Sequence, residues 1–143
     1  MLKLQVGARV PALPLESRAR GVMVATVLLV EDQRDLREVL RTALIGWGCN
    51  VLVAEDGRAA LAILRSHPGT IDVVLSDLVL PSSSGWELAR ESSYLRPTTR
   101  FVMMSGYPDQ PSSPFDHLSN YRFIRKPFQL RELLVIIKGM LAT

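Results

Sequence analysis

The sequence has one cysteine, two histidines and an aromatic share of only 6% in 143 residues. A lone Cys49 allows no intrachain disulfide and no multi-cysteine metal site, so it reads as a small buried hydrophobe in a reducing compartment. It lies between Gly48 and a β-rich run, not in the exposed cationic setting that a redox role needs. His67, beside Pro68-Gly69, and His117, in a polar segment, lack ligand spacing to each other or to Cys49. Both are expected as exposed loop residues. A bilayer-crossing helix needs a run of about 20 apolar residues. The longest apolar stretch, from Val22 to Val30, is interrupted by Thr26 and ends at Glu31-Asp32, which excludes one. Neither GxxxxGK(S/T) nor GxGxxG occurs, so a phosphate-cradling nucleotide loop has no support.

Charge of one sign is also scarce once the chain is divided. The formal net charge is +3, and residues 1–22 carry all of it, with Lys3, Arg9, Arg18 and Arg20 against Glu16. The remainder is neutral and has no global basic excess to draw it onto nucleic acid. No helix-turn-helix pattern or basic recognition helix is present, so direct nucleic-acid binding is not expected. Residues 1–22 contain Pro11 and Pro14, show no sustained period, and lack the apolar core and small-residue cleavage site of a secretory signal. They are expected to be a poorly ordered leader or linker, or the product of an upstream start. The folded domain is then 23–143, beginning at Met23.

What is present is a 48% hydrophobic chain of a length suited to one domain. From Thr26 onward, short β-rich runs alternate with helical periods. Thr26–Val30 is an all-apolar strand of the kind buried on both faces of a parallel sheet. Leu36, Val39, Leu40, Ala43, Leu44 and Trp47 then mark one face of a helix stopped by Gly46 and Gly48. Further strands are predicted at Val51–Ala54, Asp72–Ser76, Phe101–Ser105 and Tyr121–Ile124. Helices are predicted at Arg58–Ser66, Gly85–Tyr94 and Gln129–Leu141. Pro108, Pro111 and Pro114 interrupt the place of a helix between the last two strands, since an interior proline costs about 3 kcal/mol. That helix is expected to be shortened or irregular, with at most a turn around Phe115–Leu118. Five strands alternating with helices predict a doubly wound α/β fold with a flavodoxin-like parallel sheet in the order 2-1-3-4-5.

In such a sheet the reactive site lies beyond the carboxyl ends of the strands. The first predicted strand ends in Glu31-Asp32, the third in Ser76-Asp77, the fourth in Ser105-Gly106, and the fifth in Arg125-Lys126-Pro127. Three carboxylates, a hydroxyl and an ammonium therefore converge on one edge. Clustered carboxylates repel unless a cation joins them, and hard oxygen ligands select Mg²⁺ or a similar ion. A carboxylate can attack an activated phosphoryl group to give an acyl phosphate, and the cation, Lys126 and Ser105 can neutralise the phosphoryl oxygens. Taken singly, each residue has a plain structural alternative. Asp32 could cap the first helix, Ser105 could be a capping hydroxyl, Lys126 a solvated charge and Phe123 ordinary core. It is the set that points to chemistry.

The runs VLLVEDQRDLREVL, VVLSDLVLPSSSGWEL, FVMMSGY and FIRKPF resemble the receiver domain of bacterial two-component response regulators, over about residues 25–142. The resemblance implies that Asp77 is the phosphoacceptor. It implies that Glu31, Asp32 and Asp77, with the Val79 backbone carbonyl, hold Mg²⁺. Ser105 matches the switch hydroxyl, Phe123 the switch aromatic, and Lys126 the family's lysine, followed by Pro127 in a cis peptide. Pro81 and Gly85 match the turn after the phosphoacceptor. The implied phosphoryl donor is a sensor histidine kinase or histidine phosphotransfer protein, with an unidentified downstream partner and a cytoplasmic location. The segments SGY and FIRKPF are most similar to receivers attached to hybrid sensor histidine kinases. The Ser82–Ser84 tract is a departure from the family pattern and predicts a polar, mobile loop. An interaction module that is never phosphorylated is the alternative reading. A phosphatase with an aspartyl-phosphate intermediate is disfavoured, because such enzymes carry a second aspartate two positions after the nucleophile, where this chain has Val79.

Overall fold

The computed structural model describes residues 25–106 and 120–142. Its first strand, β1 (Thr26–Val30), has no polar face, and its side chains alternate between two cores. Val27 and Leu29 enter one core while Leu28 and Val30 enter the other, so the strand is central by composition. The remaining strands are β2 (Asn50–Ala54), β3 (Val73–Asp77), the two-residue pieces β4 (Val79–Leu80) and β5 (Ser83–Ser84), β6 (Arg100–Ser105) and β7 (Tyr121–Arg125). The main sheet has the order β2-β1-β3-β6-β7 with every pairing parallel, which is the expected flavodoxin-like order 2-1-3-4-5. The shortened or irregular helix expected around the three prolines, and the expected leader 1–22, lie outside the described residues.

Helices α1 (Arg34–Gly46) and α4 (Leu130–Leu141) cover one face of the sheet, and α2 (Gly57–Ser66) and α3 (Gly85–Leu95) cover the other. On the first face, α1 buries Leu36, Leu40, Ala43 and Leu44, and α4 buries Leu130, Leu133, Leu134, Ile137 and Met140. Each fully buried Leu or Ile contributes about 1.5–3 kcal/mol relative to exposure, so these two stripes hold the helices to the sheet. Helix α1 does not stop at Gly46, which lies in its last turn. The stop is Gly48, whose φ of 95° suits glycine. Its N–H donates to the Ile45 carbonyl and the Cys49 N–H donates to the Leu44 carbonyl, the paired closure of a Schellman motif. Cys49 is half-buried against the α1/α4 core, and burial pushes its thiol pKa up, in keeping with an inert hydrophobe.

On the second face, Asp56 caps α2 by accepting from the Ala59 N–H at 2.7 Å. The other end of α2 is closed by the C-cap residue of the next helix, Arg96. The Arg96 guanidinium donates to the carbonyls of Leu64 (2.8 Å), His67 (2.6 Å) and Gly69 (2.8 Å). His67 is thus not an exposed loop residue. It is half-buried as the C-cap of α2.

The largest difference from expectation is in the Ser82–Ser84 tract, expected as a loop, where Ser83–Ser84 form a short strand. Strands β4 and β5 pair antiparallel, Val79 with Ser84 and Leu80 with Ser83. Pro81 and Ser82 make the two-residue turn, with Ser82 at φ 61°. Ser84 then caps α3, accepting from the Glu87 N–H at 3.3 Å.

Candidate functional site

The carboxyl edge of the sheet brings together residues that sit far apart in sequence. Glu31 follows β1 directly and is fully buried, and its N–H continues the β1–β2 ladder by donating to the Ala54 carbonyl at 3.0 Å. Asp77 is the last residue of β3, in register with Met104 of β6. Past it, the Leu78 N–H still donates to the Met104 carbonyl at 2.8 Å, and the Gly85 N–H donates to the Leu78 carbonyl at 2.7 Å. The Ser76 hydroxyl donates to the Asp77 carbonyl at 2.9 Å. Asp77 is therefore fixed by backbone on both sides. A Cβ on Gly85 would lie 2.7 Å from the Asp77 carbonyl oxygen and collide with the Met103 side chain, so this turn admits only glycine.

Ser105 ends β6 in a buried position, paired in register with Arg125. Its carbonyl accepts from the Lys126 N–H, which places that lysine at the same edge. The Lys126–Pro127 peptide is cis. The Lys126 ammonium lies 2.9 Å from Asp77 Oδ1, with the two side chains only 8% and 13% exposed. At that burial the contact is poorly screened by solvent, so the two side chains are held facing each other.

Ligand oxygens of Glu31, Asp32 and Asp77 all lie within 4.8 Å of one another. The Glu31 carboxylate uses Oε2 to accept from the Gln33 N–H at 3.1 Å. Its other oxygen, Oε1, is buried with no hydrogen-bond partner. Burial, reinforced by the nearby Asp77, raises the Glu31 pKa from the usual 4.5 to about 7. An orphaned carboxylate oxygen among three converging acids fits a hard divalent cation of the Mg²⁺ type, which prefers oxygen ligands and few protein carboxylates. Asp32 does not cap the first helix. The N-cap of α1 is Gln33, which makes no side-chain capping bond, and Asp32 stands exposed beside the other two acids.

Val79 begins β4, and its side chain is exposed. Phe123, half-buried on β7 opposite Met103, packs against the α2/α3 core. Pro81 lies in the hairpin turn, exposed. On the same side of the sheet, Trp86 stacks on Tyr121 with ring centroids 5.8 Å apart, and Tyr121 stacks on Phe101 at 6.5 Å. Sequence reasoning missed two arginines that hold the framework. One is Arg96, the C-cap of α3, which donates to carbonyls around the end of α2. The other is Arg37, whose guanidinium donates to the Glu31 carbonyl at 2.9 Å. The Ser84 cap had a readable signal, because Ser84-Gly85-Trp86-Glu87 has the S-x-x-E spacing of a capping box.

Comparison with known proteins agrees with this geometry. The sequence model of the response regulator receiver domain matches residues 27–138. The chain is 38% identical over 120 residues to the sensor kinase CckA of Brucella abortus, covering 82% of this chain and 12% of the kinase. It is 32% identical over 116 residues to the response regulator receiver protein CpdR of the same organism, covering 80% of this chain and 95% of that protein. Among solved structures, the receiver domain of the hybrid histidine kinase CckA superposes with a TM-score of 0.71 at 30% identity, covering 82% of this chain and 99% of that one. A CheY-like receiver domain protein of Methanospirillum hungatei gives 0.75 at 27% identity, covering 84% and 95%. With its parallel sheet, its acidic cluster and its match over residues 27–138, this chain belongs to the response regulator receiver domains of two-component signalling systems.

Proposed function

We propose that this domain accepts a phosphoryl group on Asp77 from a phosphohistidine, in a Mg²⁺-dependent reaction catalysed by its own residues. The observation that carries the reading is the Lys126 ammonium 2.9 Å from Asp77 Oδ1, beside three convergent carboxylates. An Asp77 carboxylate oxygen attacks phosphorus, the P–N bond of the donor imidazole breaks, and an acyl phosphate forms. Lys126 then moves its pairing from the carboxylate to a phosphoryl oxygen, and the Ser105 hydroxyl donates to another. Glu31, Asp32 and Asp77 would hold the cation, with the Val79 carbonyl as a further ligand. When bound, Mg²⁺ supplies neutralisation of the charge that builds on the transferring phosphoryl group.

Phe123, three residues before Lys126 on β7, is the candidate reporter, its ring changing position with Ser105 and altering a partner surface. The donor class is a sensor histidine kinase or histidine phosphotransfer protein, with this domain acting in the cytoplasm. The test is the intact mass of the protein after incubation with acetyl phosphate and Mg²⁺. One phosphoryl group is expected on the native chain and none on Asp77→Asn or in the presence of a chelator. No gain by a folded, Mg²⁺-binding protein would instead favour the interaction module.

A further inference from the structure

The turn from β1 into α1 carries both Glu31 and Asp32, yet it lacks the usual device that fixes a helix entry. Gln33 occupies the N-cap position and makes no side-chain capping bond. Two other bonds tie the turn down. The Gln33 N–H donates to Glu31 Oε2 at 3.1 Å, and the Arg37 guanidinium donates to the Glu31 carbonyl at 2.9 Å. The first orients the Glu31 carboxylate, and the second clamps the peptide that joins Glu31 to Asp32 onto the first turn of α1. Arg37 itself is held in that turn by its own N–H, which donates to the Gln33 carbonyl at 2.9 Å. It forms no ion pair among the described residues, so its polar interaction there is with this carbonyl.

We infer that Arg37 is a positioning residue for the acidic pair, fixing the Glu31–Asp32 peptide so that both carboxylates converge on one cation. The inference rests on the reading of these acids as a Mg²⁺ site. Residues that orient metal ligands from outside typically alter metal affinity by about 10- to 100-fold when removed. The sign of the effect distinguishes this role from a simple charge effect. Arg37 is cationic, so through Coulomb repulsion alone its removal would tighten cation binding. Loss of positioning weakens it.

The experiment is calorimetric titration of the full chain with Mg²⁺, comparing the native protein, Arg37→Ala, Arg37→Gln and Arg96→Ala. Arg96→Ala removes an arginine with three bonds to carbonyls around the end of α2, more than Arg37 makes, and controls for general loss of stability. The expected result is a dissociation constant raised about tenfold in both Arg37 variants and unchanged in Arg96→Ala. Unchanged or tighter binding in the Arg37 variants, or equal weakening in Arg96→Ala, would overturn the inference. Arg37→Gln carries the test alone if Arg37→Ala does not fold. A native protein that binds no Mg²⁺ would fail the underlying reading instead, a result distinct from either.

Discussion

Substituting Glu31 by glutamine has a calculable effect on stability, and its sign depends on pH. Burial raises the Glu31 pKa from the usual 4.5 to about 7, so the native state holds this proton longer than the unfolded chain does. The unfolded state therefore binds fewer protons between these two values, and stability falls as pH rises through that window. Below about pH 4.5 the protonated carboxyl is accommodated at no electrostatic cost, and above about pH 7 the cost is complete. At about 1.4 kcal/mol per pKa unit, the swing is about 3–4 kcal/mol. Glutamine keeps the shape without the charge, so the cation-free variant should match the wild type near pH 4.5 and exceed it by up to about 3–4 kcal/mol at pH 8. The assay is urea denaturation of both proteins in a chelator, from about pH 4.5 to 8, read as the difference between them. That difference cancels the titration of the other carboxylates. A difference that stays constant across the window, or that grows in the wild type's favour as pH rises, would refute the assignment of a buried, cation-free carboxylate.

Two further outcomes follow from the framework. Arg96→Ala should lower stability by about 2 kcal/mol, because it strips three charge-assisted bonds from the carbonyls around the end of α2, while leaving phosphorylation intact. Denaturant unfolding alongside a phosphorylation assay checks both parts. Ser82→Gly should raise stability by up to about 1 kcal/mol, since φ 61° at the hairpin turn strains any residue with a Cβ. A shift in the urea midpoint at constant slope measures it.

The strand order was legible because each central strand is a short apolar run bounded by turn residues, and because alternate side chains of β1, β3 and β6 feed two cores. The convergence of Glu31, Asp32, Asp77, Ser105 and Lys126 was legible for the same reason. Once the strands are placed, their carboxyl ends follow. The β4–β5 hairpin was not, because two-residue strands are too short to show a period and Pro81 with three serines has the composition of a loop. Strand β3 runs one residue further than its apolar pattern, since the pairing of Asp77 with Met104 extends the ladder past the hydrophobic run. Arg37 and Arg96 were invisible because their partners are backbone carbonyls. Any residue type offers that acceptor, so no complementary side chain marks the contact in the sequence.

If Asp77 is the proposed phosphoacceptor, chemical trapping will locate the phosphoryl group there. Borohydride reduces an acyl phosphate to an alcohol, so a phosphorylated aspartate becomes homoserine at its own position in the chain. After phosphorylation with acetyl phosphate and Mg²⁺, reduction and peptide mass analysis should find homoserine at position 77 and nowhere else. Homoserine at position 32, or none in a protein whose intact mass shows a phosphoryl group, would rule out Asp77 as the acceptor.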